Sequence, residues 1–337
     1  MGKTFGRNIK VALGQETNYN EYVSPVAHGI YVEPDGVDFT PDKQIIEIPT
    51  SRGVPMPNLA DIGEGVKGWT GKLRFALCKE DMNWIFLNLF GAVTTALISG
   101  LYYSHTHKIS NATPKSLSVL YQHDLATVAN REWRLSGGMI KSLKLIFELN
   151  KPIMVEIELT GGTYLISQTV GTAPTYSVPG SGLYFYTFKN GLFTINALTT
   201  WNHVELTFAP ALADGLEDSY EYGSDARKRI ERAGEPAMLI TGTAKRLLDE
   251  ETNLIAWDQL TTISLDFKYT VAGGAMGVAE YAFNVNLDKL KLITPPKREK
   301  KGMGLFEETL SFKAFIENAD TENTIIIQDT QQTPATQ

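Results

Sequence analysis

The sequence predicts a mainly β protein built from two related halves, and three observations carry that expectation. Apolar and polar residues alternate along several runs, helical stretches are few and short, and the order of elements recurs once along the chain. The 337 residues, 43% hydrophobic, 20% charged and 10% aromatic, suffice for two ordinary domains, each burying its own core. That apolar content, with a net charge of −7, excludes a disordered chain. No apolar run approaches the roughly 18–20 residues that cross a bilayer, so no membrane anchor is expected. The opening Met1–Arg7 lacks the apolar core of a signal peptide, and synthesis in the cytosol is the simplest reading.

Each element has its own signature. Leu143, Leu145, Phe147 and Leu149 share one parity, Lys144 and Glu148 hold the other, and Ile146 breaks the pattern. After Asn150-Lys151-Pro152, Val155, Ile157 and Leu159 oppose Glu156 and Glu158, which makes an antiparallel hairpin with one buried face. Residues 262–270 alternate Ile263, Leu265, Phe267 and Tyr269 against Ser264, Asp266 and Lys268, and 310–316 repeat the device. A helix is expected over 80–90, with Asp81 as cap and Gly91 as stop. A weaker one is expected over 249–260, where Asp249-Glu250-Glu251 suits the N-terminus. Breakers such as Gly161-Gly162 and Pro179-Gly180 mark 161–191 as loops and a connection. Residues 11–61 and 92–115 read as long irregular segments, and the two ends as arms.

The repeat pairs Gly68-Trp69-Thr70-Gly71-Lys72-Leu73 with Ile240-Thr241-Gly242-Thr243-Ala244-Lys245, each leading into a helix. Ser116–Leu120 then matches Thr262–Asp266, and Lys141–Leu145 matches Asp288–Leu292, each followed by a break and a last alternating strand.

Gly68–Leu73, followed by a Trp-bearing helix ending Leu89-Phe90-Gly91, resembles the tail tube (major tail) proteins of long-tailed bacteriophages. So do Trp133–Gly138 running into Ile140–Leu145, the strand Val155–Leu159, and Tyr281–Val285 through Phe306–Phe312. The likeness covers residues 30–317 and is one of pattern and order. It implies two tandem β-sandwich or half-barrel tail-tube domains, each with a short flanking helix, plus long arms and loops. The expected division is an N-terminal arm at 1–30, domains at 31–165 and 191–317, a linker at 166–190 and a C-terminal tail at 318–337. The resemblance further implies a non-enzymatic virion component whose copies form stacked rings conducting double-stranded DNA. Two tube domains per chain imply homotrimeric, pseudo-six-fold rings, and homohexameric rings if the repeat is illusory. The implied partners are the chain itself, a tape-measure protein, tail terminator and tail-tip proteins, and DNA passing without specific binding. The implied location is the virion tail, with assembly in the host bacterial cytoplasm.

Charge fits a conduit. A pI near 5.4 argues against a basic groove that grips phosphates. Glu148, Glu156, Glu158 and Asp266, on polar strand faces, are candidates to face a lumen. Lys297, Arg298, Lys300 and Lys301 follow Pro295-Pro296 and read as an exposed basic loop; with Arg227 and Arg229 they are candidates to meet acidic surfaces of an adjacent ring.

Catalytic and metal chemistry has little footing. The single cysteine, Cys78, excludes a disulfide framework and multi-cysteine metal sites, and reads as a small buried apolar residue. His105-Thr106-His107 has metal-like spacing on a strand but no third ligand near in sequence, and reads as a surface loop. His123-Asp124 adjoins no nucleophile elbow. Glu307-Glu308 and Asp249-Glu250-Glu251 read as a strand end and a helix start rather than an acid/base pair. Gly161-Gly162 and Gly273-Gly274 lack a phosphate-loop context, and no cofactor is expected. Two alternatives stay open: a tail-tip or baseplate ring protein on the same domain, and a carbohydrate-binding β protein using Tyr102, Tyr103, Tyr184 and Tyr186.

Overall fold

The computed structural model describes residues 9–23, 28–30, 32–47, 62–77, 82–99, 102–110, 115–125, 128–169, 191–213, 231–232, 238–248, 251–271, 281–302, 305–315 and 323–329. The first half holds β1 (Lys10–Gln15), β2 (His28–Ile30), β3 (Val32–Glu47), β4 (Ile62–Ala76), α1 (Met82–Phe90), β5 (Gly91–Ser99), β6 (Tyr102–Ile109), β7 (Leu117–Leu125), β8 (Val128–Glu148), β9 (Met154–Gly161) and β10 (Thr163–Thr169). The second holds β11 (Gly191–Ile195), β12 (Trp201–Pro210), β13 (Leu212–Ala213), β14 (Glu231–Arg232), β15 (Met238–Leu247), α2 (Thr252–Asp258), β16 (Ile263–Val271), β17 (Tyr281–Leu292), β18 (Lys297–Gly302), β19 (Leu305–Ala314) and β20 (Asn323–Asp329). The fold is mainly β, as the alternation required: Leu143, Leu145 and Phe147 on β8, and Leu265 and Phe267 on β16, are fully buried.

The two halves use one pairing order. In the first, antiparallel neighbours run β1–β7–β8–β9–β4–β3. In the second they run β11–β16–β17–β19–β15–β12. Each helix follows the matching strand, β4 or β15. The register coincides as well, with Gly71 of β4 opposite Phe39 and Leu159, and Gly242 of β15 opposite Leu206 and Phe312. β8 is one 21-residue strand that passes from one layer of the sandwich to the other. Gly137, at φ 70°, adopts a backbone conformation that side chains resist, and the register slips between Ile140 and Ser142. Its counterpart is split: β17 stops at Leu292, and after Pro295-Pro296, which lack N–H groups, β18 resumes along the same neighbour, β19.

The halves are joined by strand and helix. β12 pairs with β8, from His203 opposite Glu148 to Phe208 opposite Leu143. Nine residues make too short a helix to persist alone. α1 is held because Phe86 stacks near Phe283 and meets Phe208 edge-on, and Phe90 also meets Phe208 edge-on. The buried apolar side chains consequently form one large cluster across both halves rather than two separate cores.

Other segments also differ from the sequence expectation. The expected N-terminal arm contributes β1, whose Val11, Ala12 and Leu13 are fully buried, and the expected tail contributes β20, with Ile325 and Ile327 fully buried. Both are too short for periodicity to show, and each is covered on two sides, β1 by β2 and β7, β20 by β6 and β17. Glu16 fastens the end of β1, accepting hydrogen bonds from the hydroxyls of Ser116 and Ser118 and the N–H groups of Asn20 and Gly137. Burial raises its pKa against those bonds. Much of 11–61 and 92–115, expected to be irregular, is strand: β3 pairs with β4, and β5 with β6. One-sided pairing leaves both faces of such ribbons partly wet, which erases the alternation. The connection expected over 161–191 begins with β10, and residues 170–190 lie outside the described residues.

A Cβ at Gly161 would stand 2.0 Å from the buried ring of Trp69, whose Nε1 donates to the Ser136 carbonyl at 2.8 Å. Gly161→Ala is expected to cost about 1–3 kcal/mol through overpacking. Thermal melts check this, and an unchanged midpoint with unchanged tryptophan emission counts against it.

Candidate functional site

One layer of the sandwich runs without interruption through both halves, in the order β3–β4–β9–β8–β12–β15–β19–β18. Alternation gives it two unlike faces. The inner face buries Leu73, Phe75, Ile157, Leu145 and Val204. The outer face carries charges in pairs: Lys72 with Glu158 at 2.9 Å, Arg74 with Glu156 at 3.4 Å and Lys144 with Glu205 at 2.8 Å. A groove of about 390 Å³ on this face is lined by Asp38, Lys72, Arg74, Glu156 and Glu158 among others.

Three of the four candidate lumen acids meet here. Glu156 and Glu158 stand on β9, and Glu148 ends β8 beside Lys151 and His203. Asp266 is elsewhere, on β16 in the other layer, 2.8 Å from Lys268. The Lys72 ammonium holds Glu158 below the usual carboxylate range, and Lys151 does so for Glu148. A carboxylate held ionised in this way is ill suited to donate a proton, whereas a face whose cations are already neutralised offers phosphates little to grip.

The basic segment is not the loop the sequence suggested but β18, in register with β19; Lys297, Glu299, Lys300 and Lys301 are exposed as expected, and Arg298 is not. Arg298 is half-buried against the start of α2, 3.1 Å from Glu251, and its Nε and Nη2 are buried without hydrogen-bond partners among the described residues. Lys301 lies 3.2 Å from Glu307. Arg227 and Arg229 lie outside the described residues, as do Asp81, Cys78 and Gly273-Gly274.

The His105-Thr106-His107 expectation of a surface loop is corrected too. Both imidazoles share the inner face of β6 and are fully buried. His105 bridges Thr95 Oγ1 at 2.9 Å and Asp329 at 3.2 Å, and His107 Nε2 meets Asn83 Oδ1 at 3.1 Å. The Asn83 amide donates to Asp329. Among the described residues no group of three His, Cys, Asp or Glu side chains could hold a metal. Glu308 is a buried ion-pair partner of Arg246 at 2.9 Å, to which Asn253 of α2 also donates at 2.8 Å. This pair escaped sequence reading because Arg246 and Glu308 occupy positions of an apolar alternation that only the fold brings together. Tyr102 and Tyr103 are half-buried on β6, while Tyr184 and Tyr186 lie outside the described residues. No described helix is long and apolar enough to cross a membrane.

A repeated β pairing order and one continuous sheet, with ion pairs along β4, β9, β8 and β12 of its outer face, describe a protein of the β-sandwich class. More narrowly, the chain belongs to the phage tail tube protein family, whose model matches residues 6–314. No curated protein matches significantly.

Proposed function

We propose that copies of this chain associate through their sheet margins into rings, and that the rings stack into the tail tube through which double-stranded DNA leaves the virion. The observation that carries this reading is the repeated pairing order within a tail tube family member, since two equivalent blocks per chain allow three chains to close a pseudo-six-fold ring. The ion-paired stretch of the outer face, along β4, β9, β8 and β12, suits the lumen of such a tube, because a duplex slides past cations that carboxylates already neutralise. Glu148, Glu156 and Glu158 are the lumen-facing acids in this reading. A tape-measure protein would occupy the lumen before DNA does, terminator and tip proteins would close the ends, and assembly would take place in the host cytoplasm.

Negative-stain microscopy of the concentrated full chain tests the proposal. Hollow cylinders with a regular axial repeat and threefold symmetry are expected. Isolated rings that never stack would favour a tail-tip or baseplate component. A stable monomer that saturably binds glycans would favour the carbohydrate reading.

A further inference from the structure

The internal repeat specifies which strands meet between neighbouring copies, and in which register. Within one chain, the second half of β8 pairs with β12. The equivalent of that part of β8 in the second half is β18, not the 288–292 segment that the sequence matched to it: Leu145 sits opposite Val155, and Arg298 opposite Glu308, at matching places beside Phe75 and Arg246, whereas Leu292 takes the place of Ile140. The equivalent of β12 in the first half is β3, since Leu206 faces Gly242 as Phe39 faces Gly71. Among the described residues, however, β18 pairs only with β19, and β3 only with β4. One junction is made within the chain, and the two margins of its equivalent are left open at opposite ends of the eight-stranded layer.

We propose that β18 of one copy pairs antiparallel with β3 of the next, in the register of the β8–β12 junction. This deepens the tube reading above and rests on it. Carrying the register across sets Lys297 opposite Thr40, Arg298 opposite Phe39 and Lys300 opposite Val37 of the next copy, as Lys144, Leu145 and Phe147 lie opposite Thr207, Leu206 and Val204.

Three further observations agree. The ion pair Lys144–Glu205 spans the internal junction, and the equivalent residues are Lys297 and Asp38, again of opposite sign. The margins are complementary beyond that pair: Asp35 and Asp38 lie within the paired stretch of β3, with Glu33 and Asp42 flanking it, against a strand with four cations, whose one acid, Glu299, falls opposite Asp38 but between Lys297 and Lys301. Pro41 and Pro296 fall opposite each other, where neither has an N–H to give and the ladder would stop. Finally, α1 lies at the internal junction with Ile85 and Phe90 each 1% exposed, whereas Ile255 on α2 and Leu260, just past its end, are 52% and 68% exposed. The copy that supplies β3 would cover them. This places the basic segment within a ring rather than between stacked rings.

The test is cysteine pairing in a Cys78→Ser full-length chain, read beside microscopy. Facing residues of an antiparallel pair stand within disulfide reach. Oxidised T40C/K297C protein is expected to form a covalent ladder of copies on a non-reducing gel, while I45C/K297C, five residues out of register, stays monomeric. D38K and K297E alone are expected to lower assembly at least tenfold, and D38K/K297E together to restore it. Tubes without the Thr40–Lys297 cross-link, or cross-linking of the control pair, would overturn this junction and leave the tube reading standing. Neither tubes nor cross-links would overturn both. A cross-link confined to single chains would show that β3 and β18 close on each other, and would also overturn the inference.

Discussion

Arg246→Phe should destabilise the protein by about 3–5 kcal/mol, the usual cost of leaving a buried charge without its partner. Arg246 and Glu308 are both fully buried, 2.9 Å apart, directly opposite on β15 and β19. The guanidinium also lies 5.5 Å from the Trp201 ring centre, and without it the carboxylate would keep Asn253 Nδ2, which donates to Oε2 at 2.8 Å, while Oε1 has no hydrogen-bond partner among the described residues. The same position in the first half is solved differently: Phe75 faces Val155, and both are fully buried. The internal repeat therefore supplies the compensating substitution. Arg246→Phe with Glu308→Val should recover most of the loss, because a desolvated ion pair and a packed apolar pair of similar volume are close in free energy. Urea unfolding of the two single variants and the double variant measures the coupling. Additive losses would show that the two charges do not act as a pair.

That comparison also shows what the sequence could and could not disclose. Period-two alternation makes β8, β9, β16 and β19 visible, each with one face buried against the core, and the shared order makes the duplication visible, whereas β12 alternates as regularly and escaped it. Both helices were placed, though α2 spans only Thr252–Asp258 of the twelve residues expected. Three things were hidden for physical reasons. β1 and β20 are short segments whose burial comes from partners distant in sequence. β18 is so charged that it reads as a loop, and only its pairing with β19 reveals a strand. The buried polar clusters depend on contacts such as Asn83 with Asp329, 246 residues apart, which no local pattern encodes. Among the candidate site residues, parity puts Glu148, Glu156 and Glu158 on one polar face, and β8 and β9 are neighbours in one layer. Asp266 shared their alternation but belongs to the other layer, because parity specifies a face and not the sheet to which that face belongs.

The buried imidazole of His107 should make the fold sensitive to acid. Burial foremost, with the neighbouring His105 second, pushes its pKa down to about 3. In the neutral ring Nε2–H donates to Asn83 Oδ1, whose own amide donates to Asp329, so Nδ1 is the site left to take a proton, and it is buried without a hydrogen-bond partner among the described residues. The unfolded chain binds that proton near pH 6.5, and the folded chain does so only near pH 3, so stability falls as pH drops through that window and is fully present above it. Between pH 7 and pH 4 the loss from this one group is about 3 kcal/mol. Glu16 acts in the opposite sense, since its raised pKa favours the folded state as acid is added, and the total pH dependence is correspondingly shallower. His107→Gln isolates the contribution: it keeps an N–H for Asn83 and has nothing to protonate. Its unfolding free energy should be lower than wild type at pH 7 but should fall by about 3 kcal/mol less on acidification. Equal slopes for the two proteins would mean that the folded chain accepts the proton at His107 without penalty, and that the cluster beneath α1 opens to water before the sheet does.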